Sequence, residues 1–206
     1  MKEIKFNVPQ HKSDIHALFL TGVLISFLGW LWEMLYAAFV LESPNDRGFL
    51  ISPFCPIYGF SVIAIYLLFR TPKDMAINGT AILKNSPYLR YFSYCICAGL
   101  FATFFELVTG FFFHKLFGVR LWNYQGYFGN INGYVAFFPS LAWGVVITLF
   151  MSLIFYPILR SVKKYTQKTL SVLSLIFLFI LITDTTFNFT HLLLKGKWYN
   201  LNFLFP

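Results

Sequence analysis

A chain of 206 residues that is 58% hydrophobic and 21% aromatic but only 12% charged falls outside the soluble globular class. Its formal charge of +8 would suit a nucleic-acid partner, but the Lys and Arg residues lie in short connections between apolar stretches. That is a signature of membrane topology, so nucleic acid is excluded and an all-α, polytopic transmembrane helix bundle is expected.

Five stretches in one integral membrane domain, 1–206, meet the length of roughly 20 apolar residues that a bilayer requires. They run from Ala17 to Leu41, Phe49 to Phe69, Tyr91 to Phe113, Tyr134 to Leu159 and Thr169 to Leu194. The first is too long for the apolar core of a cleavable signal peptide and is expected to be kept as an anchor. The fifth is interrupted by Asp184, Asn188 and His191. Eleven Lys and Arg residues fall on the side of the N-terminal tail and five on the other. The bias predicts a cytoplasmic N-terminus and, with five spans, an external C-terminus.

The first span carries Gly22, Ser26, Gly29 and Glu33, and the third carries Cys95, Gly99, Ala102 and Glu106, shifted by 73 positions. Small residues spaced four, three and four apart share one helix face and allow another helix to approach closely. A glutamate on that face points into the protein, and an ionisable group at such depth is costly unless it has a partner or a wet cavity. Arg47 and Arg120 each follow a glutamate by 14 residues. The pattern suggests a parallel repeat of two hairpins, 17–69 and 91–159, with the fifth span outside it. Chance likeness between apolar segments is the competing reading.

The outer connectors, 45–59 and 118–133, are dense in Gly, Pro, Asn and aromatic residues, whereas the inner ones are ordinary solvated loops. Pro53 and Pro56 predict that the second helix begins late or breaks. Cys55, Cys95 and Cys97 form neither a disulfide framework nor a metal site. There is no P-loop, zinc-hydrolase or serine-hydrolase motif, and no cofactor is implied. The N-x-[ST] triplets at Asn78 and Asn188 fall in a cytoplasmic loop and a membrane span, where neither is a glycosylation site.

The candidate binding residues are Glu33, Arg47, Tyr58, Glu106, Arg120, Trp122 and Asp184. In the functional reading the carboxylates accept a proton or cation and the arginines clamp a phosphate or carboxylate, in a pocket open to the outer side. In the structural reading the glutamates pair with Arg47, Arg120 or an indole N–H and lock the bundle, while the arginines anchor helix ends. Trp122, Asn123 and Tyr124 then form an interfacial anchor or loop staple, and His114 and His191 bond at helix ends.

Together, Gly29, Trp30 and Glu33; Arg47, Gly48, Phe49, Pro53, Pro56 and Ile57 to Gly59; Glu106, Leu107, Thr109 and Gly110; and Trp122, Tyr124, Asn130, Asn132, Gly133, Ser140, Trp143 and Gly144 resemble the putative ABC-transporter type IV (CmpB-like) family of small membrane proteins. The likeness covers the first four spans. The chain departs from the family pattern at Asn123, where an Asp is usual, and at His114, where a Glu is common. The resemblance implies a permease, working with an ATPase or another transporter subunit and contacting membrane lipids. The leading reading is therefore a small permease-like protein binding a polar or amphiphilic solute. The alternatives are an outer-leaflet enzyme acting on a lipid head group or lipid-linked sugar, and a non-catalytic scaffold. The small-residue stripes would equally suit a homo-oligomer.

Overall fold

The computed structural model describes residues 12–39, 48–77, 79–197 and 199. Its helices are α1 (Lys12–Phe39), α2 (Pro56–Phe69), α3 (Pro87–Phe117), α4 (Phe137–Leu153), α5 (Phe155–Val162) and α6 (Gln167–Lys195). A 3-10 turn (Pro72–Asp74) and a two-stranded antiparallel ribbon, β1 (Ala76–Ile77) and β2 (Thr80–Ala81), join α2 to α3. Among the described residues, α1, α3 and α6 are long and apolar enough to cross a bilayer, and α4 with α5 passes as a fourth, bent span. The chain is a helical, multi-pass membrane protein.

Two of the expected spans differ in form. The second, expected over 49–69, is helical only from Pro56, and its 14 residues rise about 21 Å, short of the roughly 30 Å hydrocarbon core. Pro56 opens the helix where its missing N–H is harmless, and residues 49–55 run irregularly before it. The fourth, expected as one helix over 134–159, bends by 46° between α4 and α5. Pro157 has no N–H for the carbonyl of Leu153, and its ring crowds that turn, which accounts for the break at Ile154.

Packing follows the small-residue stripes. α1 lies on α2 and α3 on α4, while α6 and α5 cover α1 and α2 meets α3. In the first pair Ser26 accepts the Cys55 N–H at 3.0 Å through its carbonyl, and a Cβ on Gly59 would collide with the Gly22 carbonyl and the Ser26 hydroxyl. In the second pair a Cβ on Gly144 would stand 2.6 Å from the Cys95 carbonyl oxygen. Both contacts bring backbone against backbone, which only glycine permits.

One end of the bundle is knit by closed polar contacts. Thr71 and Tyr156 both donate to Asp74, the latter at 2.7 Å, and the fully buried Tyr94 donates its hydroxyl to the Arg70 carbonyl at 2.9 Å. Arg90 reaches the Pro72 carbonyl at 2.9 Å, and Lys163 pairs with Asp14 at 2.6 Å. Around these groups pack Ala17, Ile65, Ala98, Met151 and Phe155, the deepest part of the apolar core.

Candidate functional site

At the other end, Glu33 and Glu106 are drawn into one aromatic cluster. Tyr58, in the first turn of α2, donates its hydroxyl to Glu33 Oε1. Its ring is wedged against Gly29, where any Cβ would overlap it, so the α1 stripe aims the phenol at the carboxylate one turn further on. Trp143 of α4 donates its indole N–H to Glu106 Oε1 at 3.0 Å, and Tyr124 of the α3–α4 connector donates to the same oxygen at 3.2 Å. The Tyr58 and Trp143 rings meet edge to face, their centroids 5.6 Å apart, and join the two carboxylates into one constellation.

The two acids differ in how far they are satisfied. Both donors to Glu106 converge on Oε1, while Oε2 is buried and has no hydrogen-bond partner among the described residues. Burial first, and the neighbouring Glu106 carboxylate second, hold the Tyr124 phenol well above the usual tyrosine value. It therefore stays protonated at neutral pH and keeps a proton to donate to Glu106. A buried carboxylate oxygen with no donor among the described residues carries an unmet desolvation cost.

The remaining candidates lie apart from this cluster. Asp184 of α6 accepts the backbone N–H of Ile51 at 2.9 Å and of Ser52 at 2.7 Å, together with the Ser52 hydroxyl and the Asn188 amide at 3.3 Å. Its carboxylate thus holds the irregular entry to α2, whose early residues lack helical partners. Arg120 donates to the Asn132 carbonyl at 2.9 Å and lies 5.3 Å over the Tyr134 ring. Trp122 donates to the Tyr134 carbonyl at 2.7 Å, a bond within the α3–α4 connector. His114 Nδ1 is 2.7 Å from the Tyr134 hydroxyl, with the proton on whichever atom the tautomer decides. Arg47 lies outside the described residues.

Sequence reasoning foresaw an indole as a partner for a glutamate without saying which one. The signal was present: Tyr58-Gly59 and Trp143-Gly144 each place an aromatic donor one residue before the glycine on which the hairpin packs. The roles of Ser52 and Tyr124 had no such signal: Ser52 acts across 132 positions, and Tyr124 lies in an irregular connector where helical spacing says nothing about direction.

The chain belongs to the putative ABC-transporter type IV family, whose model matches residues 20–189. The match runs past the four spans on which the resemblance rested and takes in α6 as far as Asp184 and Asn188. No curated protein and no solved structure matches the chain.

Proposed function

From membership of that family and the geometry of the two carboxylates, we propose that this chain is a small permease-like protein. It binds a polar or amphiphilic solute at the end of the bundle that holds Glu33 and Glu106, as one subunit of a transporter energised by an ATPase or another subunit. The observation that supports this most is the Oε2 of Glu106, buried and without a hydrogen-bond partner among the described residues. Leaving a buried acceptor unsatisfied costs about 1–3 kcal/mol, more if it is charged, and a solute carrying an N–H or O–H donor removes that cost on binding. An ammonium or protonated amine suits the carboxylate best, with the Trp143 and Tyr58 rings as apolar and cation-attracting walls. Glu33 is the positioning partner, since its bond to Tyr58 sets the ring that faces Trp143. The bias in Lys and Arg favours an outward-facing mouth for this site.

The test compares Glu106→Gln with Glu33→Gln in nanodiscs, reading thermal stability and, by native mass spectrometry, the retention of co-purified lipid or solute. In Glu106→Gln the amide oxygen still accepts from Trp143 and Tyr124, but an NH2 replaces the acceptor Oε2. The expected result is unchanged or raised stability, within about 0.5 kcal/mol, with loss of the bound molecule. A fall in stability in a protein that never carried a ligand would make both glutamates helix locks and sink the reading.

A further inference from the structure

We propose a second ligand seat, separate from Glu106, in the α3–α4 connector: a cavity of about 290 Å³ that takes the phosphate or carboxylate group of an anion. His114, Lys115, Arg120, Gln125, Asn132 and Tyr134 line it, and no acidic side chain does. Its volume is near the lower limit of ligand pockets, suited to a small anion or a single head group.

The backbone builds this seat from both sides. Gly118 ends α3 in the left-handed conformation, its N–H on the His114 carbonyl at 3.1 Å, which turns the chain back so that Arg120 stands beside His114 and Lys115. Gly133, at φ 75°, has no side chain to push away Gln125 and Arg120; a Cβ there would be 2.9 Å from Gln125 Cγ and 3.1 Å from Arg120 Nη1. Asn132, also left-handed at φ 51°, turns its carbonyl to Arg120 Nη1. The guanidinium is thus fixed over Tyr134 by one of its five N–H donors, and the others remain for a ligand. Lys115 is exposed and makes no ion pair among the described residues. A fixed guanidinium, an ammonium and an imidazole around one cavity with no carboxylate among them favour an anion.

This site does not rest on the reading of Glu106. Eight residues of α3, about 12 Å, separate Glu106 from His114. Between them Gly110 packs against Tyr134 and Trp122, at 3.2 Å and 3.5 Å from the position its Cβ would take. Occupancy of the connector should therefore be indifferent to Glu106→Gln.

Two sources could supply the anion, and two measurements on the full chain separate them. In neutral detergent micelles, inorganic phosphate should raise Tm saturably while chloride at matched ionic strength does not; this identifies a soluble anion. In nanodiscs of equimolar phosphatidylglycerol and phosphatidylcholine, retention of phosphatidylglycerol without a response to phosphate identifies a lipid head group. In either case Lys115→Gln, an exposed change that leaves folding intact, should weaken the apparent affinity about tenfold by removing one charge-assisted contact. Arg120→Lys should weaken it without abolishing it, and Glu106→Gln should leave it unchanged. Absence of both responses, or a response as strong in Lys115→Gln and Arg120→Lys as in the unsubstituted chain, overturns the site.

Discussion

In the first hairpin Glu33 of α1 receives the hydroxyl of Tyr58, one residue before Gly59; in the second, Glu106 of α3 receives the indole of Trp143, one residue before Gly144. The two pairs pack alike, with a bare glycine of the second helix against the small-residue stripe of the first. They part in their polar chemistry. Among the described residues Glu106 has two donors on one oxygen and none on the other, whereas the α1–α2 hairpin holds its carboxylate with a phenol pinned by Gly29. The connectors differ as well. The one entering α2 is held from outside the hairpin by Asp184 of α6, while the α3–α4 connector holds itself through the Tyr124 N–H on the Gly133 carbonyl and Trp122 on Tyr134. A shared packing scheme thus carries different polar chemistry in its two copies, with a buried carboxylate oxygen left without a donor among the described residues in the second.

The largest effect should come from testing the shared packing. Gly59→Ala drives a methyl into the Gly22 carbonyl, which as helix backbone cannot swing away, and against the Ser26 hydroxyl, and should cost about 3 kcal/mol or more. Gly144→Ala meets one carbonyl at 2.6 Å and should cost less, about 2 kcal/mol. Thermal unfolding in detergent ranks them, and equal losses would mean that the first hairpin is not the tighter one.

Asp184→Asn tests the difference in connectors. It replaces one of the two accepting oxygens by an NH2, which then faces either the Ile51 or the Ser52 N–H donor, and should destabilise by about 2 kcal/mol. Hydrogen exchange should rise over 49–55 and not over 118–133; a rise in both segments would show that the connectors are coupled. Removing one donor from each glutamate then separates lock from site. Tyr58→Phe and Trp143→Phe should each cost about 1.5 kcal/mol. Only Trp143→Phe should also lower retention of a bound solute, and equal retention in both variants would remove the distinction between the two acids. The smallest effect is expected at Asn123, whose Oδ1 accepts the Gln125 N–H at 2.9 Å at the exposed surface. An aspartate there keeps that turn, so Asn123→Asp should stay within about 0.5 kcal/mol and leave solute retention unchanged.

The readable part of the site came from depth and spacing. Glu33 and Glu106 stood out because a carboxylate is expensive inside an apolar helix, and Gly29 and Gly99 because small residues recur on the same face. Pro56 announced the late start of α2, and Pro157 could have announced the bend after α4 had the apolar run not masked it. Asp184 was legible as unusual but not as a clamp on Ile51 and Ser52, which lie more than 130 positions away.

Composition, periodicity and the placement of Lys and Arg by themselves determine a helical multi-pass protein, its apolar stretches and the two acids facing inward. These follow from what a bilayer excludes, a cost that each segment meets by itself. Only the tertiary structure decided that Tyr58, Trp143 and Tyr124 converge on those acids, that one Glu106 oxygen has no donor among the described residues, and that Arg120 turns back over Tyr134. Hydrogen bonds are set by distance and direction between groups far apart in the chain, and neither quantity is fixed until the helices have packed.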